Sequence, residues 1–128
     1  MMDIRRCTTE SDFAIAIQIT MDYLDLLDVD LVFQDIEREL SNFPLMYGPP
    51  KGVFLIAWHK DEMAGGVGLR PFEAGICELK RLFVYDTFKR RGIGRHLCKT
   101  LIQEAVKLGY ASMRLDTLGR MQESIRLY

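Results

Sequence analysis

Residues 89–95 read Lys-Arg-Arg-Gly-Ile-Gly-Arg, and this short stretch decides how the rest of the chain is read. Before it, Ile76 to Val84 is rich in strand-forming residues. After it, Ile93, Leu97, Leu101, Ile102, Ala105 and Leu108 share one face of a helix that Gly109 ends. The stretch is therefore a strand-to-helix loop. The first N–H groups of a helix have no intrahelical partner, and the helix dipole favours an anion beside them. Gly92 and Gly94 carry no side chain, so a phosphate can come close to the backbone. Four basic side chains lie within these seven residues. Together these features predict an anion cradle suited to a diphosphate; the plainer alternative is a solvated basic turn. The stretch lacks G-K-[ST], which excludes a Walker A loop, and it lacks G-x-G-x-x-G, the dinucleotide fingerprint.

Outward from the loop, Met113 to Leu118 reads as a strand. Strand, crossover helix and strand make a right-handed βαβ unit, so Ile76–Val84 and Met113–Leu118 are expected to be parallel. Upstream, Val53 to Trp58 and Met63 to Arg70 are strands joined by the polar turn 59–62, and Pro71 to Gly75 turns into the strand at Ile76. Such short connections predict an antiparallel meander, with Gly65, Gly66 and Gly68 weakening its middle strand. At the N-terminal end, Ile4 to Cys7 suggests a short strand. Thr8 or Thr9 caps a helix with Asp12 in its first turn and Phe13, Ala16, Ile17, Thr20, Leu24 and Leu27 as its apolar stripe. A second helix is expected from Leu31 to Phe43, with Val32, Ile36 and Leu40 on one face, broken by Pro44 and the 48–52 loop. A last helix is expected to start near Met121. The class is α/β (α+β), with a mixed sheet flanked by helices.

Composition narrows the function. The chain has 128 residues, 48% hydrophobic and 27% charged, which fits one compact domain. Net charge is -1, and the basic run is short, so no nucleic-acid partner is expected. Cys7, Cys77 and Cys98 are odd in number and widely spaced, and His59 and His96 lie far apart; neither a disulfide framework nor a metal site is expected. No apolar signal core follows the N-terminal charges, and the longest apolar run, Val53 to Trp58, is too short to span a bilayer. No membrane association and a cytoplasmic location are the expectations.

Leu82-Phe83-Val84, a short spacer, Arg91-Gly92-Ile93-Gly94-Arg95 and the amphipathic helix resemble the acetyl-CoA-binding core of the GNAT superfamily of N-acetyltransferases. That family's Gln/Arg-x-x-Gly-x-Gly/Ala pattern falls on residues 89–94. Lys89 at its first position keeps the charge but loses the planar hydrogen-bonding group. Ile125 to Tyr128 resembles the family's final-helix segment, with Met121 and Ser124 where Asn and Ala are frequent. The resemblance spans nearly the whole chain. It implies the GNAT acyl-CoA N-acyltransferase fold over one domain, residues 1–128, short of the last two strands that members usually have.

It further implies transfer of an acetyl group from acetyl-CoA, with no metal, to a primary amine of a small molecule or protein, by direct attack in a ternary complex. The other reading is an acyl-CoA-binding sensor or regulatory domain without turnover. Acetyl-CoA contacts then fall to Leu82, Phe83, Val84, Lys89, Arg90, Arg91, Gly92, Ile93, Gly94 and Arg95, with the Val84 N–H offered to the acyl carbonyl and the pantetheine arm passing through a splay between the parallel strands. Glu78 is the candidate base; alternation puts it on one face with Lys80, Leu82 and Val84, and its plainer role is a surface pair with Lys80. Tyr128 is the candidate acid for the leaving thiolate, or simply a packed or frayed terminal residue. Cys98 and Cys77 read as packed thiols. Asp116 and Thr117 either touch substrate or cap the next helix. The acceptor is expected at the first two helices, where Tyr23, Asp25, Asp28 and Asp30 add acidity. The oligomeric state is open, a homodimer included.

Overall fold

Alternating and continuous apolar runs assemble into one six-stranded sheet in the computed structural model of the chain, which describes residues 2–26, 34–117 and 121–127. The strands are β1 (Met2–Arg6), β2 (Val53–His59), β3 (Glu62–Glu73), β4 (Ile76–Val84), β5 (Ser112–Thr117) and β6 (Met121–Arg126), and they lie side by side in chain order. β4 and β5 run parallel, as the βαβ reading requires, and every other neighbouring pair is antiparallel. Among the described residues four α-helices flank the sheet: α1 (Glu10–Leu26), α2 (Gln34–Ser41), α3 (Phe43–Met46) and α4 (Ile93–Lys107).

The helix boundaries follow from local chemistry. Thr9 caps α1: its Oγ1 accepts the Asp12 N–H at 3.1 Å, while Asp12 Oδ2 accepts the N–H groups of Thr8 at 2.9 Å and Thr9 at 3.1 Å. This reciprocal capping satisfies donors that the helix leaves open, and the Thr8 and Thr9 N–H groups hold the Asp12 carboxyl below the usual range. Phe13, Ala16, Ile19, Thr20 and Leu24 form its buried stripe, while Leu27 lies outside the described residues. The second helix is described from Gln34 to Ser41, with Leu31 and Val32 likewise outside. Pro44 does not simply break it. Pro44 sits in the first turn of α3, where its missing N–H costs nothing. α4 closes as predicted, with Leu108 as its cap and Gly109 following at φ +90°.

From Val53 to Ala57 β2 is apolar and buried because both of its faces are covered. Leu55, Val67, Leu69, Cys77, Leu97 and Leu101 pack on the α4 side, and Phe54, Ile56, Phe43, Tyr47 and Ala16 on the α1–α3 side. The glycines of β3, expected only to weaken it, give the aromatic rings their seat. Phe54 lies opposite Gly68. A Cβ at Gly68 would come within 2.7 Å of the Tyr47 ring and 3.0 Å of Phe54, and one at Gly66 within 2.8 Å of Phe54. Tyr47 and Phe54 are 0% exposed, so their rings have little room to yield. Gly68→Ala is therefore expected to destabilise the fold by about 1–3 kcal/mol. Urea unfolding measures it, and an unchanged midpoint would mean that the rings repack freely.

Two expectations are corrected here. Residues 121–126 are not a helix: β6 pairs antiparallel with β5 from Ser112↔Arg126 to Thr117↔Met121. A bare β5 edge would leave a row of backbone groups unpaired, and the ladder satisfies them. Ile125 and Leu127 add apolar contact to the α4-side core. The sheet thus does not stop at an uncovered β5. The 71–75 turn is also shorter than expected, since β3 continues to Glu73 through an irregularity between Pro71 and Glu73. Among the described residues no helix is long and apolar enough to cross a membrane.

Candidate functional site

The site is organised by one irregularity in β4. Between the pairs Gly68↔Lys80 and Gly66↔Phe83, β4 uses one residue more than β3, and Arg81 in that interval has φ +62°. This β-bulge resets the alternation. Leu82 and Val84 pack on the α4 side, whereas Glu78 and Arg81 reach residues of the α2–α3 side. The expectation that Glu78, Lys80, Leu82 and Val84 share one face is thereby corrected.

Pairing with β5 ends at the same place. The parallel ladder runs from Ile76↔Ser112 to Leu79↔Leu115 and stops, although β5 itself continues to Thr117 beside β6. From Lys80 to Val84, β4 has β3 on one side and no strand on the other among the described residues. The ladder between the two parallel strands therefore opens after Leu79, and Leu82, Phe83 and Val84, the residues that the sequence singled out, lie beyond its last pair.

The basic loop adjoins that gap. A single 3₁₀ turn, Asp86–Phe88, leads into it, anchored by Phe88, which is buried in the α4-side core. Arg90 has φ +67° and Gly92 φ +76°. Gly92 is the N-cap of α4, and no side chain caps the helix. The first internal bond is His96 N–H to the Gly92 carbonyl at 3.0 Å, so the N–H groups of Ile93, Gly94 and Arg95 have no partner within the helix. A Cβ at Gly92 would meet no protein atom within 4 Å, and one at Gly94 would lie 3.8 Å from Val84 Cγ2. The uncapped helix end and the gap are thus neighbours. Lys89, Arg90, Arg91 and Arg95 are exposed around it. Lys89 Nζ lies 2.9 Å from Asp86 Oδ1, an exposed pair worth little, and the Arg91 guanidinium sits 5.4 Å above the Phe88 ring. Open space over the glycines, free donors and clustered positive charge all fit a diphosphate.

On the other face of β4 lies a charge network that the sequence did not reveal. Glu39 of α2 is 4% exposed. Arg81 donates to it as a fork, Nε to Oε2 at 2.8 Å and Nη2 to Oε1 at 2.9 Å. The Tyr47 hydroxyl donates to the same Oε2 at 3.2 Å, and Arg70 Nη1 is 3.9 Å from Oε1. Glu78, also 4% exposed, accepts from Arg70 Nε at 3.2 Å and has Arg114 Nη1 at 3.8 Å. It thus pairs with two arginines from neighbouring strands, and its charge also favours the Lys80 ammonium. Arg114 also stacks over Phe72 at 4.3 Å. Leu45, Met46, Arg70, Pro71, Phe72 and Glu78 line a cavity of about 430 Å³.

Burial alone pushes the Glu39 carboxyl upward, but the Arg81 fork, with Arg70 and the Tyr47 hydroxyl, holds it below the ordinary carboxylate range. Burial, then the Glu39 charge, drive the Tyr47 hydroxyl far upward, so it stays a donor. Burial lowers Lys80, and the Arg81 charge lowers it further. The only sequence hint of this network was arginine set inside apolar strands, as at Leu69-Arg70 and Arg81-Leu82.

The remaining candidates divide. Burial pushes the Cys7 thiol up to about 12, with help from Asp12, and the Cys77 thiol to about 11; it raises Cys98 too. All three are free and stay protonated thiols near neutrality, consistent with packing. Tyr23 meets the Phe83 ring edge-on at 5.8 Å, and Asp25 is exposed. Near them, the Tyr85 hydroxyl donates to Asp22 Oδ2 at 2.5 Å, a contact not foreseen. Asp28, Asp30, Leu118 and Tyr128 lie outside the described residues, as do the side chains of Asp116, Thr117, Met121 and Ser124. Among the described residues no group of three or more His, Cys, Asp and Glu could hold a metal ion.

The chain is similar to acetyltransferases in both sequence and fold. The acetyltransferase (GNAT) family profile matches residues 20–128. An uncharacterized N-acetyltransferase of Schizosaccharomyces pombe is 41% identical over 119 residues, covering 91% of this chain and 71% of the yeast protein. The fold is similar to that of a GNAT-family acetyltransferase from Staphylococcus aureus, with TM-score 0.77 and 19% identity over 91% of this chain and 73% of that one. It is also similar to a predicted acetyltransferase from Clostridium acetobutylicum crystallised with acetyl-CoA, with TM-score 0.75 and 16% identity over 94% of this chain and 84% of that one.

Proposed function

Because this chain belongs to the acetyltransferase (GNAT) family, we propose that it transfers an acetyl group from acetyl-CoA to a primary amine by direct attack within a ternary complex. The observation that carries this reading is the parting of β4 from β5 after Leu79, beside an uncapped α4 N-terminus whose Gly94 adjoins Val84. Acetyl-CoA would supply the activated thioester. The N–H groups of Ile93, Gly94 and Arg95, with Lys89, Arg90, Arg91 and Arg95 around them, would hold its diphosphate. The open backbone edge at Leu82, Phe83 and Val84 would bind the amide-bearing arm as a strand edge binds an added strand. The Val84 N–H would donate to the acyl carbonyl, where negative charge grows during attack.

The acceptor amine must be neutral to react, so a proton has to leave it. Glu78 is the proposed base, acting through water from the wall of the cavity next to the last paired residue, Leu79. Tyr128 is the proposed acid for the leaving thiolate. The acceptor, a small-molecule or protein amine, would approach from the α1–α2 side. A second reading, an acyl-CoA-binding domain without turnover, draws on the double engagement of Glu78 by Arg70 and Arg114.

Calorimetry with coenzyme A, followed by thiol release from acetyl-CoA across a panel of amines, separates these readings. We expect binding, and release with at least one amine. Absence of coenzyme A binding would sink both readings. Binding without release from any amine would leave the non-catalytic one.

A further inference from the structure

Arg81 combines two features that rarely meet in one residue. Its backbone is left-handed, at φ +62°, inside a strand. Its side chain makes a buried two-point ion pair with Glu39, a residue 42 positions away on α2. The left-handed region is unfavourable for a residue with a Cβ, and such a conformation persists only where its surroundings enforce it. The surroundings here are specific. The planar guanidinium is tied at both Nε and Nη2, which fixes its position and the plane it lies in. The receiving carboxylate is itself held by the Tyr47 hydroxyl and faced by Arg70. On α2, Glu39 is 4% and Ile36 8% exposed, and Leu40 packs against the α1–α3-side core, so the charged Glu39 is buried among apolar contacts.

A buried ion pair is a poor source of stability, since desolvating both charges offsets most of their attraction. What it supplies is geometry. The geometry matters here because the bulge at Arg81 begins where the β4–β5 ladder ends, two residues after Leu79↔Leu115. An inserted residue bends and twists its strand and disrupts pairing. If Arg81 relaxed to ordinary extended backbone, β4 could resume regular alternation and pair with β5, which continues to Thr117.

We propose that the Glu39–Arg81 pair is a clamp that holds Arg81 left-handed, keeps β4 parted from β5, and so keeps open the gap that receives the acyl-CoA arm. Both are positioning residues: neither touches the reacting atoms. The proposal rests on the acetyl-CoA reading above, and it ties the cofactor gap to α2, a helix of the acceptor side.

Glycine provides the test, because it adopts positive φ without enforcement. Coenzyme A binding is measured by calorimetry for the wild type, Glu39→Gln and the double variant Glu39→Gln/Arg81→Gly, with circular dichroism confirming the fold. Glu39→Gln is expected to bind about tenfold more weakly, the scale of an unsupported left-handed residue. The double variant is expected to recover to within about threefold of wild type, since a glycine at this position needs no clamp. Should Glu39→Gln not fold, Arg81→Lys, which keeps the charge but not the fork, is compared with Arg81→Gly: weak binding for lysine and near-normal binding for glycine are expected. Tight binding by Glu39→Gln, or no rescue by glycine, overturns the clamp and leaves the acetyl-CoA reading intact. A wild type that takes up no coenzyme A removes that reading and the clamp with it.

Discussion

Gly92→Asp is expected to weaken coenzyme A binding by about a hundredfold or more while leaving the protein folded. Gly92 has φ +76°, a region that aspartate tolerates better than most residues. Its Cβ would meet no protein atom within 4 Å, so nothing inside the protein is displaced. The new carboxylate would sit at the N-cap of a helix that now has no side-chain cap. There it would accept from the first free N–H groups, and melting should be unchanged or slightly raised. Binding suffers because those donors are the ones the diphosphate needs, and because a negative charge then faces another. Losing donors and adding repulsion at roughly 1–2 kcal/mol each gives the hundredfold figure. Gly92→Asn fills the same space and caps the same donors without charge, so a milder loss of about tenfold is expected for it. Coenzyme A affinity for the aspartate variant within twofold of wild type would remove the cradle.

Glu78→Gln is expected to lower kcat by about a hundredfold or more, the low end of what a positioned base contributes, with coenzyme A affinity unchanged. Glutamine keeps the shape, and its carbonyl oxygen can still accept from Arg70 Nε, so Arg70 and Arg114 need not move far. What it loses is the capacity to take a proton. A parallel melt shows how much of any effect is stability, since two arginines are left with less compensating charge. Full turnover by the variant would take Glu78 out of the chemistry and leave it as the structural partner of those arginines. A loss confined to coenzyme A affinity would instead make it part of the gap.

The features that the sequence made legible are those whose energies act within a few residues. Thr9 and Asp12 cap α1 because donors and acceptors three positions apart meet there. α4 runs from Ile93 and ends before Gly109, as its apolar period and its glycines require. The loop and the uncapped helix start could be read from residues 89–95 because a helix N-terminus carries its own free N–H groups and dipole, whatever packs around it. The meander and the parallel crossover followed from period and connection length.

What lay beyond the sequence depends on partners far along the chain. Residues 121–126 became a strand because the β5 edge needed pairing, a demand that no local pattern announces. Gly66 and Gly68 read as weak points until the Tyr47 and Phe54 rings were seen against them. The alternation that put Glu78 and Val84 on one face failed at Arg81, where a carboxylate on α2 meets a left-handed backbone. The sequence alone determined α1, α4, the β2–β4 meander, the parallel crossover and the family resemblance, since propensity, period and capping are local. Only the tertiary structure decided the bulge, the residue at which the β4–β5 ladder ends and the pairing of Glu39 with Arg81, because register and buried charge are settled by whichever distant groups packing brings together.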